Sequence, residues 1–385
     1  MSRDLRLLSL CIALWGFGVG LFIYFVPLYM RELGADPVQT GAILGLSSLA
    51  TALLHIPAGY LADHHDRRRL MILASLAGVC GVFIMYLASG LGAYAFGLIL
   101  YLLSEALIFS PMSSYITTAR GDWTASRALT TVYASFPFGG IFGAFFGGLL
   151  AEAVGLWAGY LASESALVVS TLLIFLISSQ PPANPSRSIQ YLGLLSHRRF
   201  RSLLALVLLA VFAMNLYWPF TPVYLEDIHG LSLSHIGLFG TLNGIGSVAI
   251  NLALGLLDPG LAFTLAQLIT AGSCLLLWKG SAAPWFGLAY FMAAAFKTSR
   301  SLLVAMADRL VGRSEVGKAY GIVQSVGDLA VMLAASAAGA LYTVRADFPF
   351  PIGLIFIGAS ILLTARLITR SGPRNQKPSH VRPPP

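Results

Sequence analysis

The chain alternates long apolar runs with short polar segments. Each run holds about 20 mostly apolar residues, the length that a helix needs to cross a bilayer. The runs are continuous rather than alternating in polarity, so they predict membrane-spanning helices instead of the strands of a membrane barrel. The predicted spans are 5–30, 38–62, 70–90, 92–119, 127–153, 157–179, 200–225, 232–257, 261–279, 283–307, 317–343 and 350–369.

A polar segment between the sixth and seventh runs divides the chain. It contains Pro181, Pro182 and Pro185 and ends in the basic run His197-Arg198-Arg199, a composition typical of a surface linker. A second polar segment, rich in proline, closes the chain. The predicted domains are an N-terminal six-helix bundle at 1–180, a cytoplasmic linker at 181–199, a C-terminal six-helix bundle at 200–370 and a disordered cytoplasmic tail at 371–385.

The two halves of the chain repeat one another. Phe25-Val26-Pro27-Leu28-Tyr29 ends the first span, and Phe220-Thr221-Pro222-Val223-Tyr224 ends the seventh, 195 positions later. Gly41 and Gly237 correspond at an offset of 196. Because six spans separate the copies, both halves have the same orientation, which is a parallel repeat. The predicted fold class is an all-α membrane protein with twelve transmembrane helices in two parallel-repeat six-helix bundles.

Composition agrees with a lipid-facing surface, and the charges orient the chain. Only 10% of the residues are charged, against roughly 25% in a soluble domain. Nineteen lysines and arginines fall at the termini, in the linker and in alternate loops, whereas the loops between hold only Arg31, Lys279 and Arg345. Since cytoplasmic loops carry the positive excess, both termini are expected in the cytoplasm, in a multi-pass protein of the inner or plasma membrane. The net charge of +8 thus follows from topology and predicts no nucleic-acid partner.

The loop between the second and third spans carries the most specific motif. It reads Gly59-Tyr60-Leu61-Ala62-Asp63-His64-His65-Asp66-Arg67-Arg68-Arg69. It resembles the loop signature of the major facilitator superfamily, G-x-L-a-D-r-x-G-r-r, with His64 in place of the usual arginine and Asp66 in place of the usual glycine. With twelve spans, a basic linker and two similar halves, the resemblance covers nearly the whole chain.

The resemblance implies a fold in which spans 1, 4, 7 and 10 line a central cavity. It also implies a cytoplasmic latch that holds the outward-open state. In this latch Gly59 lets another helix approach closely, and Asp63 faces the positive N-terminus of the eleventh helix. Arg67 or Arg68 pairs with an acid after the fourth span, for which Asp122 is the candidate. The alternative is that these arginines only satisfy the charge bias of the loop.

The fifth span is rich in glycine. Pro137-Phe138-Gly139-Gly140 is followed by Gly143 and Gly147, and the spacing of the glycines suits close helix packing. The segment is also similar to a degraded form of the glycine–proline signature that drug and proton antiporters of the family carry in this span. That similarity favours export, and simple helix packing is the other interpretation.

Charged residues inside the spans are the main functional candidates, because charge is costly in a bilayer. Glu105 lies near the middle of the fourth span, where desolvation favours the protonated form. Glu105 and Asp328, in the eleventh span, are the candidates for proton coupling, and the alternative for Asp328 is a part in the latch. Lys297 and Arg300 share one face of the tenth span and are expected to bind an anionic substrate group or to pair with Glu105. The alternatives are snorkelling for the cations and a structural carboxyl for Glu105.

Aromatic and amide side chains supply further candidates for the cavity wall. They are Asn215, Tyr217 and Trp218 in the seventh span and Trp15 and Tyr24 in the first. Each is expected to offer a hydrogen bond or an aromatic contact to a substrate. The alternative for each is an interfacial anchor or a packing residue.

Other chemistry has little support in the sequence. The chain contains no phosphate-binding Gly-x-x-x-x-Gly-Lys-Ser/Thr run and no hydrolase signature. Its three cysteines lie in apolar runs without metal spacing. His55 in the second span is interpreted as a packing residue, and a titrating residue is the alternative. No cofactor and no metal are therefore predicted.

The predicted function is secondary active transport of a small organic molecule by alternating access. Proton-coupled export by a monomer embedded in the lipid bilayer is the favoured form, with protons and the substrate as partners. The first alternative is uptake or exchange of an organic anion or a sugar-like solute. An alternative from another class is a membrane-embedded enzyme or a non-transporting sensor.

Overall fold

The fold is built from helices. The computed structural model describes residues 2–180, 192–311 and 316–370, and for Asp63 and a few other helical residues it describes the backbone alone. Within these ranges no strand occurs. In chain order the helices are α1 (Arg3–Phe22), α2 (Val26–Glu32), α3 (Pro37–His64), α4 (Arg67–Leu87), α5 (Leu91–Ala119), α6 (Ala125–Val154), α7 (Leu156–Ile174), α8 (Leu192–Ser196), α9 (Arg198–Asn215), α10 (Thr221–His229), α11 (Leu233–Gly255), α12 (Pro259–Lys279), α13 (Ala283–Ala293), α14 (Ala295–Asp308), α15 (Val316–Val344) and α16 (Pro349–Arg370).

Polar caps fix several helix starts. Asp36 and Gln39 form a capping box on α3, in which the Asp36 carboxylate accepts from the Gln39 backbone N–H at 2.7 Å. Thr124 caps α6 and Ser232 caps α11 in the same manner. Each cap satisfies backbone N–H groups that the first helical turn leaves unpaired.

Ten helices of the described part of the chain are long and apolar enough to cross a membrane, with α1 and α2 forming one of them. These ten match ten of the predicted spans. The spans predicted at 200–225 and 283–307 are not single helices, because α9 with α10 fills the first and α13 with α14 fills the second. The twelve-span architecture is confirmed, and continuous helices at these two places were the wrong expectation.

The first and seventh spans are interrupted at equivalent positions of the repeat. Pro27 follows the 3₁₀ turn Ile23–Phe25, and Pro222 follows the non-helical turn between α9 and α10. A proline has no N–H for the helical ladder, and its ring collides with the carbonyl group four residues earlier. Both breaks therefore follow from the same sequence feature.

The helices pack as two bundles, α1–α7 and α9–α16. In the first bundle α1 lies on α6, and the glycine row of the fifth span forms the contact. A Cβ atom built on Gly139 would lie 1.8 Å from the carbonyl oxygen of Ala13, and one on Gly143 would lie 2.1 Å from that of Phe17. The packing role predicted for these glycines is confirmed.

Two helix pairs join the bundles: α3 packs on α15, and α6 packs on α11. Glycines meet in both pairs, since a Cβ on Gly41 would lie 2.5 Å from the Ala335 carbonyl oxygen and one on Gly237 would lie 2.6 Å from the Gly148 Cα. We call the side of the molecule near residues 65, 120 and 180 the linker face. The side near residues 34, 155 and 231 is the opposite face.

The predicted linker and tail lie largely outside the described residues. Residues 181–191 and the whole tail 371–385 are among those that are not described. Of the linker predicted at 181–199, residues 192–196 form the short helix α8, and α9 begins at Arg198.

Candidate functional site

A cavity of about 660 Å³ lies between the two bundles. Helices α3 and α5 line it from the first bundle, and α14 and α15 line it from the second. Its wall runs from Leu102 and Val331, midway along their helices, to Gly59 and Gly317, near the linker-face ends of theirs. The cavity therefore reaches from the centre of the molecule towards the linker face.

A charged network crosses this cavity. The Asp328 carboxylate bonds the Nε2 atom of His55 at 2.7 Å and accepts a hydrogen bond from Arg300 at 2.7 Å. His55 belongs to α3 and Arg300 to α14, so Asp328 on α15 links the two bundles. The expectation that Arg300 pairs with Glu105 is not met in this conformation, and His55 is more than a packing residue.

Glu105 lines the same cavity without a cationic partner. Its carboxylate accepts a hydrogen bond from the Tyr101 hydroxyl group at 2.5 Å, and Trp15 is a second hydrogen-bonding neighbour. Among the described residues, no lysine, arginine or histidine lies within 4 Å of it. Glu105 is thus a carboxyl in the middle of a span whose described hydrogen-bond partners are neutral.

Lys297 lies beside amide and aromatic groups rather than an acid. Its Nζ atom donates to the Asn243 Oδ1 atom at 3.2 Å, and Tyr24 donates to the same oxygen at 3.1 Å. The Asn243 amide donates to the Tyr290 carbonyl oxygen at 2.8 Å, and Trp218 lies 5.0 Å from the Tyr290 ring. Three of the predicted cavity residues, Lys297, Tyr24 and Trp218, therefore lie together around Asn243, which was not among the predicted site residues.

The other two candidates of the seventh span lie inside the second bundle. Tyr217 donates to Ser273 at 3.3 Å and packs on Phe350, and both of its partners are internal to that bundle. Asn215 is 6% exposed and ends α9. These contacts fit the packing alternative for Tyr217.

The opposite face is closed by polar contacts between the bundles. Arg31 of α2 forms ion pairs with Glu226 and Asp227 of α10. The Glu152 carboxylate accepts from the Ser234 backbone N–H at 2.8 Å. Arg31 and Glu226 are 195 positions apart, the offset of the repeat, so the ion pair joins equivalent positions of the two halves.

The loop motif is tied to its own bundle. Arg67 donates to Thr118 at 2.9 Å and to Gln180 at 3.1 Å, and Arg68 donates to the Phe175 carbonyl oxygen. Within the described chain, no ion pair joins either arginine to Asp122. The side chain of Asp63 lies outside the described part.

Asp66 caps α4 where the family motif has a glycine. It has φ −58°, so no glycine is required there, and its carboxylate accepts from the Arg69 backbone N–H at 2.9 Å and from Ser179 at 2.5 Å. Although partial burial favours the neutral acid, these hydrogen bonds lower the pKa of Asp66.

The linker-face latch is not engaged in this conformation. Among the described residues, a Cβ atom built on Gly59 would meet no atom within 4 Å, and the same holds for Gly317 at the start of α15. The ends of α3 and α15 are therefore apart at the place where the latch is expected to close.

The model of the Major Facilitator Superfamily matches residues 8–260 and 203–385. The Multidrug resistance protein MdtG of Citrobacter koseri is 24% identical over 384 residues, covering 93% of this chain and 93% of that protein. The multi-drug resistance efflux pump PmrA homolog of Lactococcus lactis is 27% identical, covering 59% of this chain and 61% of that protein. A putative sugar efflux transporter of Deinococcus radiodurans is 30% identical, covering 48% of this chain and 51% of that protein.

Solved structures share the fold. A point mutant of the nucleoside transporter NupG superimposes with a TM-score of 0.80 at 13% identity, covering 95% of this chain and 99% of that one. The human organic anion transporter MFSD10 superimposes with a TM-score of 0.70 at 17% identity, covering 94% and 99%. A family model that spans both halves, on a fold of two six-helix bundles around a cavity, shows that this chain belongs to the Major Facilitator Superfamily.

Proposed function

We propose that this protein is a proton-coupled exporter of small organic molecules that works by alternating access. The observation that carries the proposal is the cavity between the halves, which is closed at one face and holds Glu105 without a counter-ion. A site at the middle of the bilayer between two repeats is where such transporters bind their substrate.

The conformation fits one end of a transport cycle. Arg31 and Glu152 hold the opposite face shut, while Gly59 and Gly317 are apart at the linker face. The excess of lysine and arginine on the linker side favours a cytoplasmic location for that face. On this assignment the cavity is open to the cytoplasm, and rocking about the glycine contacts of α3 with α15 and of α6 with α11 would open the other side.

Glu105 is the preferred coupling group. Coupling requires that the two conformations bind the proton with different affinity. Asp328 already has Arg300 and His55 as partners, whereas the described hydrogen-bond donors to Glu105 are neutral. Closing the linker face would change the water access and the neighbours of Glu105, which supplies the required difference.

The relatives support export over uptake. Two of them are named for multidrug resistance, and a third for sugar efflux. Their names differ in substrate but agree in direction. The lining of the cavity combines the aromatic rings of Phe109 and Tyr320 with ionisable and polar side chains, which suits a compound that has both an apolar and a polar part.

Transport by proteoliposomes tests this proposal. Reconstituted protein is given a proton gradient and one of three probes: 1-naphthylmethylamine for amines, fluorescein for organic anions and glucose for sugars. Glu105→Gln is expected to abolish gradient-driven movement of the probe. Glu164→Gln is the matched control, because Glu164 is another carboxyl in a span but does not line the cavity between the bundles. Movement by Glu105→Gln at the wild-type rate would exclude Glu105 as the coupling group. Turnover of a substrate in detergent, without any gradient, would favour a membrane enzyme instead.

One observation favours a second candidate, exchange of an organic anion. Within the described chain, Lys297 has no carboxylate partner and is exposed. Fluorescein counterflow that is lost in Lys297→Met and kept in Lys279→Met would support this candidate. Lys279 is a suitable control because it ends α12 and lies over the Trp278 ring.

A further inference from the structure

A second cavity of about 320 Å³ lies inside the N-terminal bundle, where α1, α4, α5, α6 and α7 meet. Its wall is mostly apolar and aromatic, with Trp15, Met71, Met112, Tyr133 and Phe136 among the lining residues. Glu105 and Phe109 line both this cavity and the one between the halves. We call it the side pocket, because it branches from the central cavity at these two residues.

Two polar groups in this wall have hydrogen-bonding capacity left, whereas the hydroxyl groups of Tyr133 and Ser170 bond Ser113 and the Cys11 carbonyl oxygen. One is the Glu105 carboxylate, which accepts from Tyr101 and has no cationic partner within the described chain. The other is the Ser75 hydroxyl group, which is fully buried and has no hydrogen-bond partner among the residues that the structure describes. A buried hydroxyl group without a partner is costly. Both groups therefore have capacity left for a ligand.

The wall of the pocket is fixed before any ligand arrives. Gly78 of α4 leaves room for the Trp15 ring, since a Cβ atom there would lie 2.6 Å from the indole Cη2 atom. Trp15 is 8% exposed and neighbours Glu105. A wall that is already ordered loses little conformational entropy when a ligand binds.

We propose that the side pocket binds the aromatic part of a lipophilic primary or secondary amine, whose N–H group donates to Glu105. Glu105 attracts the ammonium charge, and the Ser75 hydroxyl group accepts a second N–H or orients a water. The pocket volume is near the lower end for small-molecule sites, which suits one fused pair of rings. This inference rests on the proposed function, in that the amine is taken to be a transported substrate.

The lining of the pocket predicts which ligands are rejected. Its described residues include no lysine or arginine, so an organic anion would meet Glu105 without compensation. A quaternary ammonium ion carries the charge but has no N–H group, and its methyl groups hold the charge away from the carboxylate. The hydrogen bond, and not charge alone, should therefore decide affinity.

Equilibrium binding to the purified full-length protein in lipid nanodiscs, without a gradient, tests the proposal. Three probes share one ring system: 1-naphthylmethylamine, (1-naphthylmethyl)trimethylammonium and 1-naphthaleneacetate. By calorimetry the amine is expected to bind at least ~10-fold more tightly than the quaternary ion, and the acetate is expected not to bind. Equal affinity for the amine and the quaternary ion, or no binding of the amine, would overturn the proposal.

Variants locate the bound amine. Ser75→Ala is expected to weaken amine binding ~2- to 10-fold, and Ile108→Phe, which fills the pocket, is expected to remove it. Ser163→Ala is the matched control, since Ser163 is also fully buried without a partner but does not line the pocket. Because Ile108→Phe could disturb folding, the smaller change Ser75→Ala provides an independent measurement of amine affinity. Unchanged affinity in both variants would place the amine elsewhere.

The binding result is separable from transport. If the pocket variants weaken amine binding as expected but the protein shows no proton-driven movement in liposomes, the proposed function is overturned and the side-pocket proposal is kept. Proton-driven movement of the amine, together with unchanged amine binding by the pocket variants, would support the proposed function and overturn the side-pocket proposal.

Discussion

His55 and Asp328 are 273 positions apart in the chain, and their side chains meet at 2.7 Å. The contact joins α3 of the first bundle to α15 of the second, on the wall of the central cavity. Arg300 holds the second oxygen of Asp328. The carboxylate thus ties together one helix of the N-terminal half and two of the C-terminal half.

Loss of the Asp328 charge should destabilise the protein more than loss of the whole ion pair. Asp328→Asn leaves Arg300 without its counter-ion, and breaking one partner of a buried pair costs about 3–5 kcal/mol. Adding Arg300→Gln should recover part of this loss, because the remaining groups are neutral. Thermal unfolding in detergent measures the three variants, and equal melting temperatures for the single and double variants would contradict the pairing.

Loss of the His55 ring should weaken the link between the halves. His55→Ala removes the contact with Asp328 across the two bundles, so the melting temperature in detergent should fall. His65→Ala is the control, because His65 is exposed and its ring bonds the Leu61 carbonyl oxygen of its own helix. Equal melting temperatures for the two variants would show that the contact between His55 and Asp328 does not stabilise the protein.

Arg31 should control access from the opposite face. Arg31→Gln removes both ion pairs between α2 and α10, so the closed face should open more often. The readout is the labelling rate of Thr241→Cys by an impermeant maleimide, in a background where the exposed Cys80 is replaced by serine. We expect at least ~3-fold faster labelling, which corresponds to a typical exposed or half-exposed ion pair.

The control for Arg31 is Arg345→Gln. Arg345 lies on the same face but pairs with Asp347, two positions away in its own bundle. Faster labelling in both variants, or in neither, would show that the Arg31 ion pairs do not hold the face closed.

The glycine contact between α6 and α11 should tolerate no larger side chain. Gly237→Val places a Cβ about where the Gly148 backbone lies, and the two helices must separate. Transport should fall at least ~10-fold while the protein still reaches the membrane. Gly358→Ala is the control, because a Cβ there meets no atom within 4 Å, and it should keep wild-type transport. Normal transport by Gly237→Val would mean that this contact is not required.

Asp66 should stabilise the loop motif only while it is ionised. Its pKa is lowered in the folded protein, so the contribution is present at neutral pH and is lost as the pH falls below about 4. Asp66→Ala should lower the melting temperature at pH 7 through loss of an N-cap, about 1 kcal/mol. The difference in melting temperature between the wild type and Asp66→Ala should decrease towards pH 3. A difference that increases would contradict a lowered pKa of Asp66.

The sequence predicted the twelve spans and their repeat because hydropathy and proline positions are local properties. It also predicted the tight contact made by Gly139 and Gly143, since small residues at this spacing suit close packing. It did not predict which charged residues meet. Helix rotation decides whether Arg300 faces Glu105 or Asp328, and rotation is set by packing between halves that are distant in the chain.

Asn243 and His55 were missed as site residues for the same reason. A single amide or imidazole in an apolar run has no local signature, and its partners, Lys297 and Asp328, lie on other helices. Asn243 could have been noticed as a polar residue in the middle of a span.

The central claim is that the two halves rock, so that the faces open in turn. Paired spin-label distances measure this directly, with one pair at positions 65 and 310 on the linker face and another at 38 and 228 on the opposite face, in nanodiscs between pH 8 and pH 5.5. The account predicts that one distance shortens as the other lengthens, and that Glu105→Gln removes the dependence on pH. Two distances that stay fixed, or that change in the same direction, would contradict it.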